Sequence, residues 1–183
     1  MGTGRMRGHG GIRRSSSPRR QAASPTTGLH RYYEFEVSLL GAEPKVWRRF
    51  LLRADGTFQD LHAAIQRACG WENCHLFVFR DGNESLAGIP DKESDKPDPD
   101  ARKVRLSMFF AGPRKRCTYE YDFGDSWEHD VRLRGTTDLP ETFERRVLGG
   151  ARAFPPEDCG GIPGYEDCVR LATTGRGPRD LWE

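Results

Sequence analysis

The strongest constraint on the fold is a stretch of alternating side chains between Cys117 and Arg134. Apolar and polar residues take turns on both sides of a glycine-containing connection at 124–126. Successive side chains of a β-strand point to opposite faces, and a short connection with glycine can join two antiparallel strands. The stretch therefore predicts a β-hairpin with one aromatic and one acidic face. The predicted aromatic face consists of Cys117, Tyr119, Tyr121, Phe123, Trp127, His129, Val131 and Leu133.

Charge is distributed unevenly along the 183 residues, although the net charge is only +2. Residues 1–28 contain six arginines and no acid, which leaves 23 basic against 27 acidic residues, or −4, in 29–183. A segment rich in Gly, Ser, Pro and Arg cannot bury enough apolar surface to offset chain ordering. We therefore expect a disordered tail over 1–28 and a single domain over 29–183. The tail could contact nucleic-acid phosphates without reading sequence, so nucleic acid is a candidate partner. A solvated tail without a partner, or a start codon assigned too early since Met6 follows closely, is the alternative.

The apolar runs and the cysteines limit the cellular context. No run is long enough to span a membrane, and the N-terminus lacks the apolar core of a secretory signal, so we expect a cytoplasmic protein with no membrane partner. The five cysteines are odd in number and form no C-x-x-C pair. This pattern argues against a disulfide scaffold and a zinc knuckle, and it favours reduced thiols.

The remaining periodicity predicts a sheet covered by one main helix. Apolar residues recur at helical spacing from Phe58 to Cys69, after an N-cap at Thr57 and before a C-terminal glycine at position 70. A shorter helical pattern runs from Tyr165 to Ala172. The predicted fold class is therefore α+β, a mainly antiparallel twisted sheet of about five to six strands with a main covering helix and a short C-terminal helix. Besides the hairpin, strands are predicted at 32–40, 45–52, 75–80 and 145–148.

Three other segments have weaker patterns. Residues 81–102 predict a long polar connection, and 149–164, rich in glycine and proline, predict a defined loop. Residues 103–110 fit either a short strand or one helical turn.

A group of acids and one histidine is the first candidate site. Carboxylates with an imidazole are suitable ligands for zinc, manganese or iron and are suited to acid/base work. Strand alternation, however, places His129 opposite Glu128, and acids at turns often accept backbone N–H bonds instead. We therefore predict no cofactor, and a divalent metal is the alternative. The candidate residues are Asp122, Asp125, Glu128, His129, Glu157 and Asp158.

A second candidate site is an aromatic pocket near the hairpin tip. Aromatic rings supply recognition surface, and glycines let a ligand approach the backbone closely. Core packing explains the same rings equally well. The candidate residues are Tyr119, Tyr121, Trp127, Gly160, Gly161 and Tyr165.

Three long motifs, at 57–79, 119–129 and 155–165, resemble the plasmid pRiA4b ORF-3-like domain family. The resemblance implies a compact α+β domain and an association with mobile elements, since members include insertion-element passenger proteins that carry a resolvase-type label. It implies no particular biochemical activity.

Known phosphoryl-transfer and recombinase chemistry does not fit the chain. The only serine cluster, 15–17, lies in the predicted tail, and the Asp-Phe-Gly at 122–124 lacks the other kinase motifs. We therefore predict a non-catalytic binding module associated with mobile elements. The alternative is a metal-dependent hydrolase that uses the acids and histidine of the 119–129 hairpin.

Overall fold

The computed structural model describes residues 1–2 and 28–175 and contains one antiparallel sheet with three helices in that part of the chain. The strands are β1 His30–Leu39, β2 Trp47–Arg53, β3 Phe77–Asp81, β4 Glu84–Gly88, β5 Arg116–Tyr121, β6 Trp127–Leu139 and β7 Arg145–Ala151. The helices are α1 Phe58–Cys69, α2 Leu106–Phe110 and α3 Gly161–Thr174. Among the described residues, no helix has the length and apolar character needed to cross a membrane.

The sheet has seven strands in the order β4-β3-β5-β6-β1-β2-β7, so β4 and β7 form its edges. The predicted hairpin is β5 and β6, in which Tyr119 faces His129 and Tyr121 faces Trp127. These four side chains are fully buried, as the alternation predicts. The α+β class is confirmed, with more strands than expected.

Helix α1 covers the aromatic face of the sheet. It starts with a capping box between Thr57 and Asp60 and ends at Gly70, which has a positive φ of 85° that glycine adopts without strain. Its His62 stacks on Phe77 of β3, with 3.6 Å between ring centroids. Helix α2 extends this layer, so the core lies between the two helices and one face of the sheet.

One segment differs from the sequence-based expectation, and a second is resolved between two alternatives. Strand β4 lies within the predicted polar connection, where the turn at Gly82 (φ 59°) lets the chain reverse and pair with β3. Its Ala87 is fully buried, and such a small side chain gives little signal in the sequence. Residues 106–110 are helical, which settles the alternative left open for that segment.

The alternation predicts Phe123 on the aromatic face, and this prediction is wrong. The Phe123 side chain is 50% exposed. The reason is local: Asp122 has a φ of 57°, in the left-handed region, so strand β5 ends at Tyr121 and the alternation stops there. Asp and Asn are among the residues that adopt this conformation most readily.

The predicted loop 149–164 is shorter than expected, because β7 continues to Ala151 and α3 begins at Gly161. Gly161 has a φ of 67°, and a Cβ there would lie 2.9 Å from the carbonyl oxygen of Asp125. The Gly160 amide donates to the Asp125 carboxylate at 3.1 Å. These contacts hold the loop against the hairpin tip and bring Glu157 and Asp158 to it.

Candidate metal centre

Three segments meet around His75: the connection from α1 to β3, the turn of the β5–β6 hairpin, and the loop before α3. The His75 Nε2 atom lies 3.0 Å from Asp158 Oδ1 and 3.6 Å from Asp122 Oδ2. One ligand atom from each of the three side chains lies within 4.8 Å of the other two. The fold thus gathers one imidazole and two carboxylates from parts of the chain that are distant in sequence.

The environment of Nε2 fits ligands that share an ion. This nitrogen is shielded from solvent and forms no hydrogen bond with any described residue, although the Asp158 oxygen is only 3.0 Å away. Ligand atoms about 2.1 Å from an ion lie about 3.0 Å apart in octahedral and about 3.4 Å apart in tetrahedral geometry. The two nitrogen–oxygen distances are close to that range.

The two carboxylate oxygens of Asp122 have different roles. Its Oδ1 accepts a hydrogen bond from the Gly124 amide at 3.0 Å, and its own amide donates to the Leu76 carbonyl at 2.9 Å. The first bond fixes the turn and the second ties it to the residue after His75. The other carboxylate oxygen is left facing the imidazole.

A second group overlaps the first and consists of Cys74, His75 and Glu157. The Cys74 sulfur lies 3.5 Å from Glu157 Oε1, which also accepts a hydrogen bond from the Tyr121 hydroxyl at 2.5 Å. The Glu72 amide donates to the other oxygen of Glu157 at 2.7 Å. Glu157 is therefore held in place beside the imidazole.

These contacts change the acidity of the groups involved. Partial burial opposes ionisation of Glu157, but hydrogen bonds from Tyr121 and from the Glu72 amide lower its pKa overall. Burial raises the pKa of Tyr121, and its hydrogen bond to the Glu157 carboxylate raises it further. Tyr121 therefore stays a neutral donor, and Glu157 stays a carboxylate.

The donor set indicates the class of ion. One imidazole with carboxylates suits zinc, manganese or iron, and the nearby thiol of Cys74 favours the more thiophilic of them. Three protein ligands leave coordination positions for water, as in catalytic metal sites. The His75 side chain is 28% exposed, so solvent reaches the edge of the cluster.

The structure brings together three of the six residues in the first candidate site, namely Asp122, Glu157 and Asp158. Asp125 lies next to them and accepts the Gly160 amide, as expected of an acid at a turn. Glu128 is exposed on the opposite face of the sheet. His129 lies apart from the carboxylates in the core, as strand alternation predicts.

His129 has the environment of a core residue. Its Nδ1 lies 3.3 Å from the Tyr119 carbonyl oxygen, and its ring stacks against Phe154, with 5.9 Å between centroids. Trp71 meets the same ring edge-on. Burial lowers the pKa of His129 to about 4, so the imidazole is neutral at physiological pH.

The aromatic members of the predicted pocket fill the core. Tyr119, Tyr121 and Trp127 have no exposed surface, and Tyr165, 8% exposed, donates its hydroxyl to the Ala153 carbonyl. The Tyr119 hydroxyl bonds His62 and Gln66 of α1. The faces of these rings are thus occupied by core packing.

Sequence reasoning missed Cys74 and His75, because His75 was assigned to the start of a strand and Cys74 to the preceding connection. In the structure β3 begins at Phe77, so both residues lie before it. The signal that could have identified them is the Cys-His pair itself, since adjacent metal-ligating side chains at the end of a connection are candidates for a site.

Comparisons with known proteins give a family match, a sequence relative and a solved structure of similar fold. The model of the plasmid pRiA4b ORF-3-like protein family matches residues 31–179. An uncharacterized protein, y4hQ, from Sinorhizobium fredii (strain NBRC 101917 / NGR234) is 37% identical over 139 residues, which are 75% of this chain and 71% of that protein. The crystal structure of a protein of unknown function, MM3350, from Methanosarcina mazei Go1 has a TM-score of 0.71 at 34% identity and covers 82% of this chain and 86% of its own. The chain therefore belongs to the plasmid pRiA4b ORF-3-like protein family.

Proposed function

We propose that the protein is a metal-dependent hydrolase whose centre is His75, Asp122 and Asp158. The observation that carries the proposal is the His75 Nε2 atom, which is shielded from solvent, makes no hydrogen bond to any described residue and lies 3.0 and 3.6 Å from two carboxylate oxygens. His75, Asp122 and Asp158 would hold a divalent transition-metal ion, which would lower the pKa of a bound water toward neutrality. Glu157, kept ionised by its hydrogen bonds, would be the neighbouring carboxylate that accepts a proton.

The local charge favours a cation. Asp122, Glu157 and Asp158 bring three carboxylates to one imidazole, and Asp125 adds a fourth acid at the hairpin tip. Mutual repulsion of these groups is relieved by a divalent ion. The same charge disfavours an anionic substrate in the absence of metal.

The test is isothermal titration calorimetry of the full chain with zinc, cobalt and manganese salts after chelator treatment. Asp122→Asn is the most informative variant, because asparagine keeps the Oδ1 acceptor for Gly124 and tolerates the positive φ while it removes the charge. His75→Ala removes the imidazole. His30→Ala, whose imidazole bonds Thr142 far from the cluster, is the matched histidine control.

Stoichiometric binding by the wild type and His30→Ala, lost in both site variants, is the expected result. The loaded protein is then assayed with chromogenic esters and phosphodiesters, and turnover absent from Asp122→Asn supports the hydrolase. Wild-type protein that binds none of the ions overturns the proposal.

A second candidate function is a non-catalytic binding module. What favours it is that Asp122, Asp125 and Glu157 all accept backbone hydrogen bonds, so each has a structural role without a metal. Metal binding without turnover of any substrate would support this function instead. An association with mobile elements is part of this proposal, and its support is the family resemblance.

For the arginine-rich segment 1–28 we propose contacts with nucleic-acid phosphates, supported by its six arginines and absence of acids. Residues 3–27 of it lie outside the described part of the chain. Deletion of 1–28 should abolish salt-sensitive binding of nucleic acid, as measured by fluorescence anisotropy, if this segment alone carries it. Undiminished binding would contradict that role.

A further inference from the structure

Two arginines face each other across strands β5 and β6 on the sheet face opposite the core. Arg116 is paired in register with Arg132, and both side chains are exposed. Like charges directly opposite each other destabilise a sheet. Strand pairing alone therefore gives no reason for placing two guanidinium groups here.

A buried acid holds the two arginines side by side. Asp130 is 4% exposed, and its two carboxylate oxygens accept bonds from Arg116 Nε at 2.5 Å and from Arg132 Nε at 2.6 Å. Because both hydrogen bonds use Nε, the terminal Nη groups of the two arginines remain available as donors to a ligand. Within the described part of the chain, these Nη groups make no hydrogen bond.

The two guanidinium groups line an open cleft of about 320 Å³ together with Lys115, Leu133 and Arg134. None of the described residues that line the cleft is acidic, and Asp130 beneath it offsets one of its four positive charges. Arg134 forms no ion pair within 4.0 Å among the described residues, although it lies near enough to Glu36 to help lower the pKa of that carboxyl. The nitrogen of Lys115 donates to the Phe110 carbonyl at 2.7 Å.

We propose that this arginine cleft, formed by Lys115, Arg116, Arg132 and Arg134, binds phosphate groups. Guanidinium groups with free Nη donors match phosphate oxygens in a forked geometry, and a fixed pair loses little side-chain entropy on binding. The ligand is the backbone of a nucleic acid or a small phosphate compound. The cleft is separate from the metal centre, since β6 places Arg134 roughly 20 Å from Trp127 at the hairpin tip.

The test measures binding of three probes by the full chain: a fluorescein-labelled DNA duplex, a labelled single-stranded RNA, and ATP. The variant is Arg132→Gln with Arg134→Gln, which leaves Asp130 paired with Arg116. Arg102→Gln with Arg170→Gln removes the same charge from exposed sites elsewhere and is the matched control. Thermal unfolding shows whether each variant is folded.

The affinity of the site variant for the DNA duplex and the RNA should fall about tenfold, and the salt dependence of its binding should correspond to about two fewer phosphate contacts. The control variant should change little. Loss of polymer binding identifies a nucleic-acid backbone as the ligand. Loss of ATP binding alone identifies a small phosphate compound. The proposal is overturned if the site variant and the control variant bind every probe equally, or if the wild type binds none. Neither outcome bears on the metal titrations.

Discussion

His75 and His129 both contact the tyrosines of strand β5 but have opposite surroundings. His129 has no exposed surface, and the rings of Trp71, Tyr119 and Phe154 surround it. His75 is partly exposed, with carboxylate oxygens around its Nε2 atom. The difference shows that the histidine inside a regular strand belongs to the core, whereas the histidine that precedes strand β3 is surrounded by carboxylates and a thiol.

The largest difference between the two histidines should appear in stability. We predict that His129→Ala lowers the free energy of unfolding by about 3 kcal/mol, because it leaves a cavity among packed rings. His75→Ala should cost well under half as much, since its side chain is partly exposed. Urea unfolding followed by tryptophan fluorescence measures both. If both variants lost the same free energy of unfolding, the conclusion that His129 but not His75 is a core residue would be contradicted.

The pH dependence of stability tests the buried environment of His129 in a second way. Burial lowers the pKa of His129 and of His62 to about 4, below the ordinary value of 6.5. Between these values the unfolded chain binds protons that the folded chain does not, so stability falls as pH decreases through this window. Each histidine adds up to one proton to the difference between the unfolded and folded states, which corresponds to a slope of roughly 1 kcal/mol per pH unit.

His129→Gln removes one of these two contributions. Urea unfolding across the same pH window should give a shallower slope for this variant than for the wild type, because the contribution of the carboxylates is common to both. Parallel slopes would show that His129 does not have a lowered pKa in the folded protein.

The smallest expected effect concerns Tyr121, which lies between the surroundings of His75 and those of His129. Its hydroxyl donates to Glu157 and accepts from the amides of Cys74 and His75. Tyr121→Phe should cost about 1 kcal/mol of stability and weaken metal affinity about tenfold, since it frees a carboxylate next to the ligands. Calorimetric titration measures the affinity, and an unchanged value would mean that Tyr121 does not position the metal centre.

Local pattern was sufficient for the parts of the fold that depend on neighbouring residues. The hairpin was predicted because its alternation is long, and helix α1 because Thr57 and Gly70 mark its ends. Strand β4 was missed because it is short, lies at an edge and has a small buried residue, Ala87. Its pairing with β3 is local, and the two-residue Gly82-Asn83 turn was the signal available in the sequence.

The candidate site was only half predictable. Asp122, Glu157 and Asp158 were identified by residue type, but their grouping with His75 depends on how the loop before α3 docks on the hairpin tip. That docking follows from the close approach of Gly161 to Asp125, which no periodicity shows. His129 was included in the candidate site because it lies in the same motif as the acids, although strand alternation already placed it on the opposite face from Glu128.

The edge strand β7 carries two exposed apolar side chains, Val147 and Leu148, directly after Arg145 and Arg146. An open edge exposes unpaired backbone groups that can template pairing with another chain, and charge is a common means of preventing this. A bulge opposite Arg49 and Phe50 further distorts the edge. We therefore expect the tendency of this edge to pair with another chain to rise with salt, mainly through screening of Arg146, because Arg145 is already paired with Glu144.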